Sequence, residues 1–171
     1  MSEQEAASAS VQTNGLSVLS SLKERRQQVI EEQVLTLPVP RWTDPVIVVK
    51  YKPLPHEMIR ASQTRLEAAP KAKRAALEVD LNADLLIKGC RAVVAVLDDT
   101  EYSLRSGDPS GEPTVFDSEL AENLGLDDNA RARDVVRALF ITEPDIISAA
   151  QSLIVWSGYK ETEADDSLRG E

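Results

Sequence analysis

Histidine and cysteine are almost missing from this chain: 171 residues include one of each, His56 and Cys90. A lone cysteine excludes an internal disulfide. A lone histidine leaves any Ser/His/Asp or Cys/His arrangement a single possible base. No nucleophile motif surrounds His56, which follows Pro53 and Pro55 where a helix is expected to start, so it reads as a solvated helix-start residue. Aromatic residues are only 4% of the chain, and positive charge is short too, with 19 Lys and Arg against 29 Asp and Glu for a net charge of -10. An acidic surface repels phosphate backbones and anionic lipid head groups, so neither nucleic acid nor a membrane is an expected partner. No stretch approaches the ~20 consecutive apolar residues that span a bilayer. Met1 to Asn14 has neither the basic start nor the apolar run of a signal peptide, and the expected location is the cytoplasm.

What is present suits a folded domain. Apolar residues make up 42% of the chain and charged residues 28%, and a chain of this length buries roughly 70% of its unfolded surface. The expected organisation is a disordered tail over 1–14, one mainly helical domain over 15–159, and an acidic disordered tail over 160–171. The expected fold class is α+β, mainly α-helical, with one or two β-hairpins.

Within that domain, Leu16 to Glu32 reads as a helix with a narrow apolar stripe of Leu19, Leu22, the stem of Arg26, Val29 and Ile30. A hairpin is expected over 34–52. Its first strand carries Pro38 and Pro40, which lack an N–H and confine it to a sheet edge, and Arg41 to Pro45 makes the turn. The second, Val46 to Lys52, is rich in β-branched residues. Helices are expected over 55–97, started by Pro55 and broken at Pro70. Leu86, Cys90, Val93, Val94 and Leu97 fall at i, i+4, i+7, i+8 and i+11, which predicts a central helix from Leu81 to Leu97, with Cys90 as a small hydrophobe on its stripe. The turn-rich stretch Ser106 to Pro113 separates two short β-like stretches in a loop or second hairpin over 100–116. Helices follow over 117–158, capped by Asp117 or Ser118, by Asn129, and by a Thr142 to Asp145 capping box, with Gly158 as the final stop.

Few groupings suggest chemistry. Asp80, Asn82 and Asp84 match the first alternating ligands of an EF-hand loop, but Leu85 replaces its glycine and Arg91 its bidentate glutamate. They read instead as helix-start groups favoured by the dipole. Gly107 and Gly111 make no phosphate-binding loop. Lys71, Lys73 and Arg74 form a basic cluster without interleaved aromatics, read as a solvated face. Asp145 to Ser157 contains no Arg or Lys, so a DNA-reading second helix is rejected. With no catalytic, cofactor or metal residue to name, the expectation is a protein-binding chain that is not an enzyme. The candidate contacts are Leu19, Leu22 and Val29 on the N-terminal helix, and Leu153, Ile154, Trp156 and Tyr159 at the C-terminal end. For those last four a core role is favoured over a contact patch.

The layout then carries a resemblance. Lys23-Glu24-Arg25-Arg26-Gln27-Gln28 leads to Leu37-Pro38-Val39-Pro40-Arg41-Trp42 and then to Val48-Val49-Lys50-Tyr51-Lys52-Pro53-Leu54. Val135 to Phe140 and Trp156-Ser157-Gly158-Tyr159 follow before the acidic tail. Over roughly residues 20 to 165 this resembles the tail assembly chaperones of long-tailed, siphovirus-type phages of actinobacteria. The resemblance implies a partner, the long, helical, apolar tape measure protein, which such a chaperone keeps soluble in the host cytoplasm. It also implies possible self-association and a longer frameshifted product, and it carries no catalytic residue. Two other readings stay open: a structural virion protein, such as a head-tail connector or minor tail protein, and a cytosolic protein-binding module.

Overall fold

The computed structural model describes residues 3–158, with side chains from residue 17 onward. Contacts divide the chain into two compact units, Met1–Gln33 and Val34–Glu171. This differs from the expected single unit over 15–159, because the boundary falls at Gln33.

The first unit is one helix, α1, Glu3–Glu32. Residues 3–14, expected as part of a disordered tail, form its beginning. Polar side chains along it pair at helical spacing: Gln27 Nε2 donates to Glu31 Oε1 at 2.9 Å and Arg25 Nη1 to Gln28 Oε1 at 3.2 Å. Such pairs each contribute only a few tenths of a kcal/mol.

The second unit is an antiparallel sheet packed with helices. Its strands are β1 (Leu35–Thr43), β2 (Val46–Tyr51), β3 (Cys90–Leu97) and β4 (Thr100–Ser103), ordered β1-β2-β3-β4. The proline-bearing β1 lies at the edge, as its missing N–H groups require. Strand pairing runs to Thr43, so the turn is Asp44-Pro45 and shorter than expected. Between β2 and β3 come α2 (His56–Ala68), a 3-10 turn (Lys71–Lys73) and α3 (Arg74–Gly89). After β4 come α4 (Ser118–Asn123), α5 (Ala132–Phe140) and α6 (Glu143–Trp156). The fold is α+β and mainly helical.

The largest correction concerns 81–97. The expected helix ends at Gly89, and Cys90–Leu97 is the inner strand β3, paired with β2 on one side and β4 on the other. Its five residues Ala92 to Val96 include three β-branched valines, which fit a pleated surface. Val93 and Ala95 point into the core opposite Val49 and Ile47, while Val94 pairs with Val48 on the other face. The strand period of two satisfies the same apolar residues that the helical period of 3.6 seems to explain. Leu97, expected on the stripe, is exposed. Gly89 marks the break. A Cβ there would come within 2.8 Å of Leu153 Cδ2, so the end of α3 meets α6 with no room for a side chain.

The second hairpin also differs. Glu101 to Ser103 pairs with β3, whereas Thr114 makes a separate bridge to Val93 through Val93 N–H to Thr114 O at 2.7 Å. The intervening loop is held from inside. Ser103 Oγ donates to Glu112 O at 2.7 Å, and Arg105 binds Glu112 and Glu119 together.

Caps fare variously. Asp117 caps α4 by accepting from Leu120 N–H at 3.0 Å. The cap of α5 is Arg131, where Asn129 is expected; Asp134 Oδ2 accepts the Arg131 N–H at 2.8 Å. Thr142 precedes α6, but its hydroxyl donates to Asp145 Oδ2 at 2.6 Å in place of accepting a backbone N–H. Among the described residues no single helix is long and apolar enough to cross a membrane; α5 and α6 reach that composition only together, bent by 105°.

Candidate protein-interaction site

Side chains that a folded chain leaves uncovered are the ones available to a partner, and α1 carries the longest such row. Leu19 and Leu22 are 60% and 59% exposed, and Val18, Val29 and Ile30 are exposed as well. The residues sit three, four and seven positions apart on a helix, so they line one side of it. Leu19, Leu22 and Val29, the expected contacts on this helix, are all exposed. Val18 joins them and was not singled out; its position one residue before Leu19 and four before Leu22 is the signal that finds it.

The C-terminal group divides. Leu153 and Ile154 are buried in the main cluster with Leu86, Val136 and Phe140; Leu153 is wholly enclosed, while Ile154 keeps an edge at the surface. The physical reason is direction: α6 packs against α3, and Ile146, Ala150, Leu153 and Ile154 recur every three to four residues on that inner face. Trp156 is 36% exposed and its neighbour Val155 66% exposed. Tyr159 and the tail 160–171 lie outside the described residues.

Val155 borders a groove that sequence reasoning did not foresee. On α2, Ile59, Ser62, Gln63 and Leu66 fall at i, i+3, i+4 and i+7. On α3, Glu78, Leu81, Asn82 and Leu85 repeat the same spacing. Gln151, Ile154 and Val155 of α6 close the third side. One stripe from each of three helices thus lines an open cavity of about 260 Å³. Asn82 is buried in its floor, with its Nδ2 donating to Glu78 O in the preceding turn at 2.8 Å.

Asp80, Asn82 and Asp84 are not helix-start groups, because α3 begins at Arg74. The two aspartates, four residues apart, meet Arg133 and Arg137, also four apart on α5. Arg133 grips Asp84 with two hydrogen bonds of 2.7 and 2.6 Å, and Arg137 Nη2 donates to Asp80 Oδ1 at 2.6 Å. Arg137 Nη1 reaches on to Glu143 Oε1 at 3.1 Å. Hydrogen bonding to these carboxylates raises both guanidinium pKa values. The matched i, i+4 spacings are the sequence signal for this clamp, which ties α5 to α3 and to the start of α6.

Other reactive types are accounted for locally. His56 Nε2 lies 3.4 Å from Ser157 O at the end of α6. The Cys90 thiol, at the head of β3 and half-buried, is pushed up to about 12, chiefly by burial. A thiol so perturbed is a poor nucleophile. Tyr51, wholly buried beside it, is raised as well, again chiefly by burial. Arg74 caps the end of α2, donating to Ala69 O at 3.0 Å and Glu67 O at 2.9 Å, while Lys71 and Lys73 are exposed. Among the described residues no three His, Cys, Asp or Glu side chains are arranged to hold a metal ion.

Comparison with protein family models, with curated proteins and with solved structures finds no match.

Proposed function

We propose that this chain is a phage tail assembly chaperone, a protein without catalytic chemistry that binds the tape measure protein and keeps it soluble while the tail forms. The observation that carries the reading is the uncovered apolar row on α1. A row of five aliphatic side chains facing water on one helix is a contact surface in waiting, and its partner is apolar and helical by the logic of helix-on-helix packing. Three features support the proposal. The net charge of -10 would keep a complex with an apolar chain in solution. The polar clusters among the described residues that most suggest chemistry, Asp80 with Asp84 and Arg105 with Glu119, are consumed in holding the fold. The resemblance of the Pro38 to Leu54 and Val135 to Tyr159 stretches points to the same role.

The test has two arms. Co-expression of this chain with the tape measure protein from the same genome should raise the soluble fraction of that protein, and the two should co-purify. Mass spectrometry should then find the chain in infected-cell lysate and not in purified virions. Stoichiometric copies in virions would replace the chaperone reading with the structural one.

A further inference from the structure

The α2–α3–α6 groove supplies a more specific inference about the partner, and it rests on the protein-binding reading above. We propose that this groove receives one amphipathic, cationic helix of the partner, with two aliphatic side chains four residues apart seated over Leu81 and Leu85 and a lysine or arginine one turn away set against Glu78.

The length and shape of the groove come from the helices that build it. Each of α2 and α3 presents a stripe spanning seven residue steps, about 10 Å of helix at 1.5 Å per residue. Two turns of a third helix, laid along the gap, present side chains at i and i+4 over that span. Aliphatic side chains of all three helices, Ile59, Leu66, Leu81, Leu85 and Ile154 among them, alternate with polar ones along it, and Val155 stands exposed at the lip.

Charge decides which helix. Glu78 is the one ionisable side chain lining the groove. Its neighbours on the same helix, Asp80 and Asp84, are each bound by an arginine of α5. The Glu78 carboxylate has no ion pair among the described residues, and it sits at the end of an apolar trough, where a cation would meet it in a medium less screening than water. A second copy of this chain brings a net charge of -10 and is disfavoured as the occupant by long-range repulsion. A cationic helix from another protein gains both the trough and the carboxylate.

The experiment uses the full chain and two synthetic helical peptides of about 18 residues, or five turns. Both carry leucines four residues apart on an alanine background; one has lysines a turn to either side, the other glutamates. Binding is read by fluorescence anisotropy. The lysine peptide should bind about tenfold or more tightly than the glutamate peptide, with the difference shrinking as salt rises. Val155→Asn, an uncharged change at an exposed position that leaves the core intact, should weaken the lysine peptide several-fold, and Glu78→Lys should reverse the preference between peptides. Equal binding of the two peptides, no binding of the lysine peptide, or indifference to both variants would overturn the proposal. Co-purification with the tape measure protein is scored separately. Retention of that complex by Val155→Asn and Glu78→Lys, beside a silent groove, would refute the groove and leave the chaperone reading standing; loss of the complex in the wild-type chain with peptide binding intact would do the reverse.

Discussion

Helices α1 and α3 are both apolar at helical spacing, yet they use that spacing for opposite ends. In α3, Val79, Leu81, Leu85 and Leu86 are all buried, and the helix packs against α6, α5 and α2. In α1, Val18, Leu19, Leu22, Val29 and Ile30 remain in water. Burying a leucine or valine is worth about 1.5–3 kcal/mol. In α3 that energy goes into folding the Val34–Glu171 unit; in α1, under the proposed function, it would be gained on association. Apolar residues at helical spacing therefore mark a buried face only where a core exists to receive them.

Substitutions test that contrast directly. The largest effect belongs to α3: Leu86→Ala should cost about 2–5 kcal/mol by emptying a fully enclosed site, read as a lower urea midpoint. Leu22→Ala on α1 should change the same midpoint by less than about 0.5 kcal/mol. A large loss at Leu22 would mean that α1 is part of the folded core.

Next in size is Ile141, exposed and held at φ 68, ψ -45 between α5 and α6. Thr142 N–H donates to Phe140 O at 2.7 Å, closing a tight turn of the strained γ type around a β-branched residue. Ile141→Gly should raise the melting free energy by about 1 kcal/mol, measured by thermal unfolding. No gain would show that contacts of the isoleucine offset the strain.

The clamp of Asp80, Asp84, Arg133 and Arg137 is smaller still. Its side chains are about a third exposed, so screening discounts it. Arg137→Ala should cost up to about 1 kcal/mol at low salt and less at high salt.

A pH effect comes from Cys90. Its folded pKa is raised from 9.0 to about 12, so the folded state resists losing the proton that the unfolded state gives up. Stability is then fully present below pH 9 and falls as pH rises from 9 towards 12. Tyr51, raised by burial, adds to the loss above pH 10. Cys90→Ala should flatten the lower part of this slope, and the wild-type thiol should react slowly with thiol reagents at pH 8. Rapid labelling of the folded protein would contradict the burial assigned to it.

The same pair of regions shows how far the sequence could be read. Strand pairing of β1 with β2 was legible because prolines and β-branched residues leave few alternatives, and α5 was legible from Val135, Val136, Leu139 and Phe140. Cys90–Leu97 was not, because its valines suit either period and only the unmatched inner edge of β2 chooses between them. The three-helix groove was not legible either, since each helix shows its stripe but nothing local says that the stripes converge. Leu153 and Ile154 suit either a core or a contact by type, and the packing of α6 on α3, tight where Leu153 meets Gly89, decides for the core. The α1 stripe was legible from the helical spacing of Leu19, Leu22, Val29 and Ile30.

The central claim is that α1 holds a partner with its apolar row. The most direct measurement is co-purification of the tape measure protein with the wild-type chain and with the triple variant Leu19→Glu, Leu22→Glu, Val29→Glu, alongside urea unfolding of both chains. The account predicts equal unfolding midpoints and loss of at least about tenfold in captured partner, since three charges would have to be buried unpaired in an apolar contact. Full capture by a normally folded triple variant would contradict it.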